Sequence, residues 1–563
     1  MSLRPESIYA DSNHGIAASV RNPISNWLRD GLAALAWSAI LMGGAASATA
    51  GESEDDLSAI KSRLATLEIQ NAELRAKLAN PSAVFSEVTP ASAVANEDDV
   101  RIRSIVDKYM SDKKKEEAEK KKADEEAGYE VGSDLAMTAK WNNGLELSTK
   151  DKAFRIHIGG RTQLDAGFYN TDNSIAPPNI NIPYRDGVDF RRARLRIDGT
   201  MYEQHEFAVE YDFINSVRAN SGAGTTDFSV TAFTDAWWQL KEVPIFGNIR
   251  IGNQKEAIGF EHLVSSRFLP FMERSYNQDT FYGGSFNGFT PGISAFDKFA
   301  DDTATWNIGL YKPTNNVFAV NAWDNDYAVT GRLTKLLRNE ADGADLIHVG
   351  LGARQATSVQ GRQRFRTRDA IRSGISVQWP IPADSSNLFA TDGQMLDPEL
   401  AIVHGPWTLQ AEYLASWTHD VTSAAGAPGV AAGVKADQIF YHGGYVQVMY
   451  FLTGEHDNYS MERGAFDRVK PRENFFCLRN DDGTTATGWG AWQVGARYNY
   501  LDLNDQGING GELHNFTAGL NWFWNPNMKL QFNYIATNRN NALPGGAGDG
   551  WIHGVGMRLA QDF

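Results

Sequence analysis

The chain has 563 residues, 42% hydrophobic and 22% charged. That length and apolar share exclude a disordered chain and suffice for a large core. Lys+Arg 53 against Asp+Glu 69 leaves a net charge of −16, which argues against nucleic acid as a partner. The one cysteine, Cys477, excludes an intrachain disulfide and a Cys-rich zinc site.

The first fifty residues read as an address. Arg21 and Arg29 precede an apolar run from Leu32 to Met42, and small residues follow to Ala48-Thr49-Ala50. This is the pattern of a signal peptide over 1–50, cleaved near Ala50. Leu57, Ile60, Leu64, Leu67, Asn71, Leu74 and Leu78 then alternate spacings of three and four. That is an a/d seam with Asn71 at an a position, predicting a short α-helical coiled coil over 51–80. Pro81 and a small, polar stretch separate it from a charged helical or flexible tether, assigned to 81–150.

From about residue 151 the hydrophobic period becomes two. Phe207, Val209, Tyr211 and Phe213 oppose Glu206, Ala208, Glu210 and Asp212. Trp492, Val494, Ala496, Tyr498 and Tyr500 oppose Gln493, Gly495, Arg497 and Asn499. One apolar face at period two is a strand signal. Soluble sandwiches and membrane barrels both give it. Aromatic pairs near strand ends (Trp237-Trp238, Trp522-Phe523-Trp524) favour the membrane barrel, whose interfaces carry aromatic girdles. So do short turns such as Gly405-Pro406 between long polar loops, and a last strand ending on Phe563. The fold expected for 151–563 is an all-β transmembrane antiparallel barrel of about sixteen strands.

The polar faces are rich in arginine. From residue 131 on there are 26 Arg and 11 Lys. In Asp189–Gly199, Arg192, Arg194 and Arg196 share one face. In the run from Gly361, Arg362, Arg364, Arg366, Arg368 and Arg372 share one parity. If both segments are strands, each is a column of guanidiniums on one wall. Arg155, Arg161 and Arg250 fall on polar faces as well. A charge on the lipid face costs ~2–4 kcal/mol at the midplane, so these side chains must face the lumen. Guanidinium forks onto carboxylate and phosphate oxygens, and such columns suit passage of small anions. The competing reading is structural: Glu206, Glu210, Asp212 and Asp235 are placed to pair with the column.

The segments RRARLRIDGTMYEQHEFAVEYDF (191–213), DAWWQLKEVPIFGNIRIGNQKEAIGFEHLVSSRFLPFMERS (235–275), ELAIVHGPWTLQAEYL (399–414) and VMYFLTGEHDNYSMERGAFDRVKP (448–471) resemble the phosphate-selective porin family, types O and P. The resemblance spans 150–563 and omits the coiled coil. It implies a sixteen-stranded homotrimeric barrel in the outer membrane, an inward-folded third loop, an arginine ladder, and lysines holding phosphate at the constriction. On this sequence the third loop would be Lys255 to Gly288, with Lys255, Arg267 and Arg274 as its basic residues. Lysine is scarce here, and Arg267 stands where the resemblance suggests a lysine.

The expected role is therefore passive diffusion of small anions such as phosphate. The expected partners are outer-membrane lipid, two further copies and the anion itself, with contact to the cell wall through 57–78. The alternative is a porin for other solutes whose coiled coil anchors the outer membrane to the cell wall. No nucleophile elbow, Walker loop or HExxH motif points to an enzyme, and no cofactor or metal is implied. His157 and His348 fall on polar strand faces as lumen-lining residues. The loops at Asp324-Asn325-Asp326 and Asp481-Asp482-Gly483 read as solvated.

Overall fold

The computed structural model describes residues 131–563, apart from 221–226, 283–287, 315–324, 375–377, 425–429, 477, 480–482 and 542–545, together with positions 108 and 115. The leader, the coiled coil, the rest of the tether up to residue 130, Asp324, Cys477, Asp481 and Asp482 lie outside the described residues.

Sixteen long strands form the wall. They are β1 Arg155–Thr171, β2 Gly187–Met201, β3 His205–Asn220, β4 Asp227–Val243, β5 Gly247–Lys255, β6 Phe289–Phe299, β7 Ala304–Tyr311 and β8 Ala328–Glu340. The second half comprises β9 Asp345–Thr357, β10 Asp392–His404, β11 Trp407–Ser423, β12 Lys435–Phe451, β13 Ala491–Asp505, β14 Ile508–Asn525, β15 Met528–Asn540 and β16 Gly550–Asp562. Each pairs antiparallel with its neighbour, and β16 returns to β1 from Ile552↔Thr171 to Asp562↔Arg161. Closure leaves no edge among the sixteen, as hydrocarbon demands. At the seam the Phe563 backbone exchanges hydrogen bonds with Gly160, at 2.6 and 3.1 Å. A Cβ on Gly160 would lie 2.8 Å from the Phe563 ring, so glycine makes room for the terminal aromatic.

The period-two pattern becomes two faces. Leu195, Ile197, Val209, Ile251, Ile293, Ile308, Leu333, Leu351, Val446, Phe516, Val555 and Met557 are exposed on the outside. This is the apolar belt a bilayer requires. Aromatics gather at the turn end, where Trp492 stacks on Trp522 at 4.9 Å and Trp407 meets Tyr450 at 4.4 Å. The inward face carries Gln163, Asp165, Glu210, Gln447, Arg497, Asn515 and Arg558, all buried.

Residues 137–149, assigned from sequence to the tether, instead form a hairpin. Its strands Met137–Trp141 and Leu145–Thr149 pair with each other, and the second pairs with the first residues of β1. At the end where the chain enters and leaves, most connections are short: 202–204, 244–246, 300–303, 341–344, 405–406 and 526–527. The exception is 452–490, between β12 and β13. Its residues 459–469 pack inside the barrel, as do described parts of the segments between β5 and β6 (256–288) and between β9 and β10 (358–391).

Candidate functional site

The three inward segments pack on one another and on the wall of β8–β16. Phe260, Val264 and Leu269 of the β5–β6 segment share a cluster with Ala465 and Phe466 of the turn-end insertion. Tyr276 and Phe281 share another with Phe365 of the β9–β10 segment. Polar clamps complete the packing. Glu412 of β11 accepts from the backbone N–H groups of Phe260 and Glu261. Arg497 of β13 reaches Glu261 at 3.1 Å, and Lys529 of β15 donates to the Leu269 carbonyl at 2.7 Å. His348, expected to line the lumen, is fully buried between Glu399 (3.3 Å) and Tyr459 of the insertion (2.8 Å).

Glu273 is the centre of this region. Arg191 bonds it at 2.8 Å and Arg558 at 2.9 Å; Arg372 lies at 3.4 Å and Arg192 at 3.8 Å. Burial alone would raise its pKa, but those guanidiniums, Arg191 foremost, hold it well below the usual carboxylate range. Asp279 is lowered in the same way, against burial, by Arg368 and Arg372. The Trp379 ring lies under three of these cations, Arg191, Arg368 and Arg372, at 4.8, 5.3 and 5.4 Å.

On the opposite side, β1–β8, the β5–β6 segment and Glu462 and Arg463 of the β12–β13 connection line a cavity of about 600 Å³. Eleven cationic side chains and six carboxylates line it. Of the residues proposed from sequence, Arg155, Arg161, Arg192, Arg194, Arg196, Arg250, Lys255, Arg267 and Arg274 all reach it. Arg362, Arg364, Arg366 and Arg368 do not. Their run is not a wall strand: only the residue pairs Arg362–Gln363 and Arg366–Thr367 are extended, inside the β9–β10 segment. Arg364 pairs with Asp384 at 2.6 Å and Arg368 with Asp279, so the expected second column is a set of loop clamps.

Sequence reasoning missed Arg191. A bulge in β2 sets Gln163 opposite Arg192 and Leu164 opposite Phe190, leaving Arg191 extra. The extra residue breaks the alternation, so Arg191 and Arg192 both turn inward. The doubled arginine in FRRAR was the available signal.

The cavity cations fall into two groups. In the first, carboxylates neutralise the ladder. Arg194 bonds Asp212 at 2.8 Å and Glu210 at 3.0 Å; Arg161 also bonds Glu210. Arg196 bonds Asp198 at 3.0 Å and Asp235 at 2.6 Å, and Arg155 bonds Asp198 at 3.0 Å. In the second, neutral groups hold the cation. Arg250 donates to the Gln239 side-chain carbonyl at 2.9 and 2.7 Å, between the rings of Trp237 (4.1 Å) and Phe296 (4.9 Å). Arg274 donates to the carbonyls of Glu261 and Val264 at 2.9 and 2.5 Å. Lys255 donates to the His262 carbonyl and lies 5.9 Å from the Phe289 ring. Among the described residues these three form no ion pair. Arg267 is intermediate, 3.6 Å from Asp562.

A closed sixteen-stranded barrel with an apolar belt outside and charge within defines an outer-membrane channel. The model of the family "phosphate-selective porin O and P" matches residues 156–563, and the chain belongs to that family. It is 23% identical to Porin O of Pseudomonas aeruginosa over 479 residues, covering 77% of this chain and 93% of that one. It is 23% identical over 528 residues to an uncharacterized protein of Caulobacter vibrioides, covering 91% of each. Among solved structures, the anion-selective porin from Comamonas acidovorans aligns with 73% of this chain and all of its own, at 11% identity and TM-score 0.43.

Proposed function

We propose that this porin conducts small anions, phosphate among them, by passive diffusion. The observation that carries this reading is the group of three cations, Arg250, Lys255 and Arg274, that face the cavity and form no ion pair among the described residues. A guanidinium paired bidentately with carboxylate offers little field to a passing ion. One satisfied by a carbonyl keeps its whole charge. In a low-dielectric wall such charges raise the local anion concentration. Holding them on carbonyls and rings leaves room for an anion to exchange in and out.

In this reading the ladder Arg155, Arg161, Arg192, Arg194 and Arg196 forms the polar wall of the path. Lys255, Arg267 and Arg274 mark the constriction, and the β5–β6 segment sets the size cutoff. The working unit is a homotrimer in outer-membrane lipid, exported with its signal peptide removed near Ala50. The test is the reversal potential of the purified protein in a planar bilayer under a KCl gradient, followed by phosphate titration of the chloride current. Anion selectivity with saturable phosphate block is expected. Cation selectivity would mean that the acids control the path and would end this reading.

A further inference from the structure

The cavity has two unlike walls. The ladder wall is charged and internally neutralised, with Arg161, Arg194 and Arg196 tied to Glu210, Asp212, Asp198 and Asp235. The corner on the adjoining strands carries Arg250 and Lys255, which form no ion pair among the described residues and are set against rings, with Asp235 and Asp297 lining the same cavity. Arg250 sits between Trp237 and Phe296, and Lys255 lies by Phe289. Ala257 and Leu263 add apolar surface beside them.

A hydrated inorganic anion uses the cations of that corner and gains nothing from its apolar surface. An anion with an apolar body uses both, because ring and alkyl surface leaves water while the head group meets the guanidinium or ammonium. The volume agrees: about 600 Å³ lies within the ~300–1,000 Å³ of sites that take organic ligands. Guanidinium planes already stacked on rings offer an edge for the anionic head and extend the aromatic surface for the body.

We propose that the preferred solutes are organic anions with an aromatic or similarly flat apolar body, such as aryl phosphates and aryl carboxylates. Their head group would lie at Arg250, and their body against Trp237 and Phe296. This rests on the anion-channel reading above and narrows its solute class.

The test compares phenyl phosphate with methyl phosphate as blockers of the chloride current through the full-length protein in a planar bilayer. The two share a head group and differ in the body. Phenyl phosphate is expected to half-block at a concentration at least tenfold lower. In Trp237→Leu/Phe296→Leu that ratio should fall towards one, whereas Trp237→Phe should keep it. Each variant's own chloride conductance shows that it has folded. Equal block by the two esters in the wild type would overturn the aromatic preference and leave the anion channel standing. A tenfold ratio that persists in the leucine variant would overturn its placement at this corner. A cation-selective wild type would remove the channel reading itself, and this inference with it.

Discussion

Two groups of cations face one cavity and are held in opposite ways. The ladder on β1 and β2 is matched nearly charge for charge by Glu210, Asp212, Asp198 and Asp235 on β2, β3 and β4. The corner formed by β5 and the segment after it holds Arg250, Lys255 and Arg274 on amide oxygens and rings. Every cation of both groups donates to at least one oxygen, as buried cations must. Only the second leaves its charge unspent. Periodic arginine on a wall is thus a poor guide to selectivity by itself; what matters is the partner. The paired group specifies the wall; in the proposed reading, the group with no ion pair among the described residues sets the sign of the field.

The comparison can be broken or sharpened experimentally. The largest effect should come from Glu273→Gln. It leaves Arg191 and Arg192 without their carboxylate, and breaking a buried pair of this kind costs about 3–5 kcal/mol. Denaturant unfolding of the refolded barrel should show the loss. Next is pH. Glu273 has a pKa well below its usual 4.5 because of the surrounding guanidiniums, against the opposing effect of burial. Its contribution to stability is therefore fully present above about 4.5 and lost only as pH falls further, through the depressed value. The difference in unfolding midpoint between the wild type and Glu273→Gln should stay constant between pH 8 and 5 and shrink in stronger acid. A difference already shrinking between pH 7 and 5 would contradict the clamp. A smaller effect is expected for Arg194→Gln/Asp212→Asn, which removes one opposed pair at constant net charge. Reversal potential should move little, whereas a collapse of anion preference would put the ladder in command. The smallest effect is expected on deleting residues 57–78. Conductance per barrel should be unchanged, while chemical cross-linking of the assembled protein should report any loss of trimer.

Much of the wall was legible in the sequence. The inward direction of Arg192, Arg194 and Arg196 follows from period two with one face in lipid, whereas the strand number needed an even count and closure on Phe563 came from the likeness of the last strand to the closing strands of such barrels. The acids Glu210, Asp212 and Asp235 were legible as partners for the same reason. The Arg362–Arg368 run was misread because alternation identifies a strand only where the two faces meet different surroundings. Inside the lumen that segment is enclosed from many directions, and Arg366 and its neighbour Thr367 are both buried. Arg191 was hidden because one bulge shifts parity locally. The inward packing of residues 459–469 carried a length signal, a long connection at an end of short turns, and an apolar one in Tyr459, Phe466 and Val469. The neutral partners of Lys255, Arg250 and Arg274 come from the neighbouring strand β4 and from carbonyls of the β5–β6 segment, which no local pattern encodes.

The central claim is that the carboxylate-free cations give the channel its anion preference. The most direct measurement is the reversal potential under a KCl gradient for the wild type and for Arg250→Gln/Lys255→Gln/Arg274→Gln, side by side. The account predicts an anion-selective wild type and a variant whose reversal potential moves to zero or to the cation side. A variant that conducts with undiminished anion selectivity would contradict it and return the role to the paired ladder.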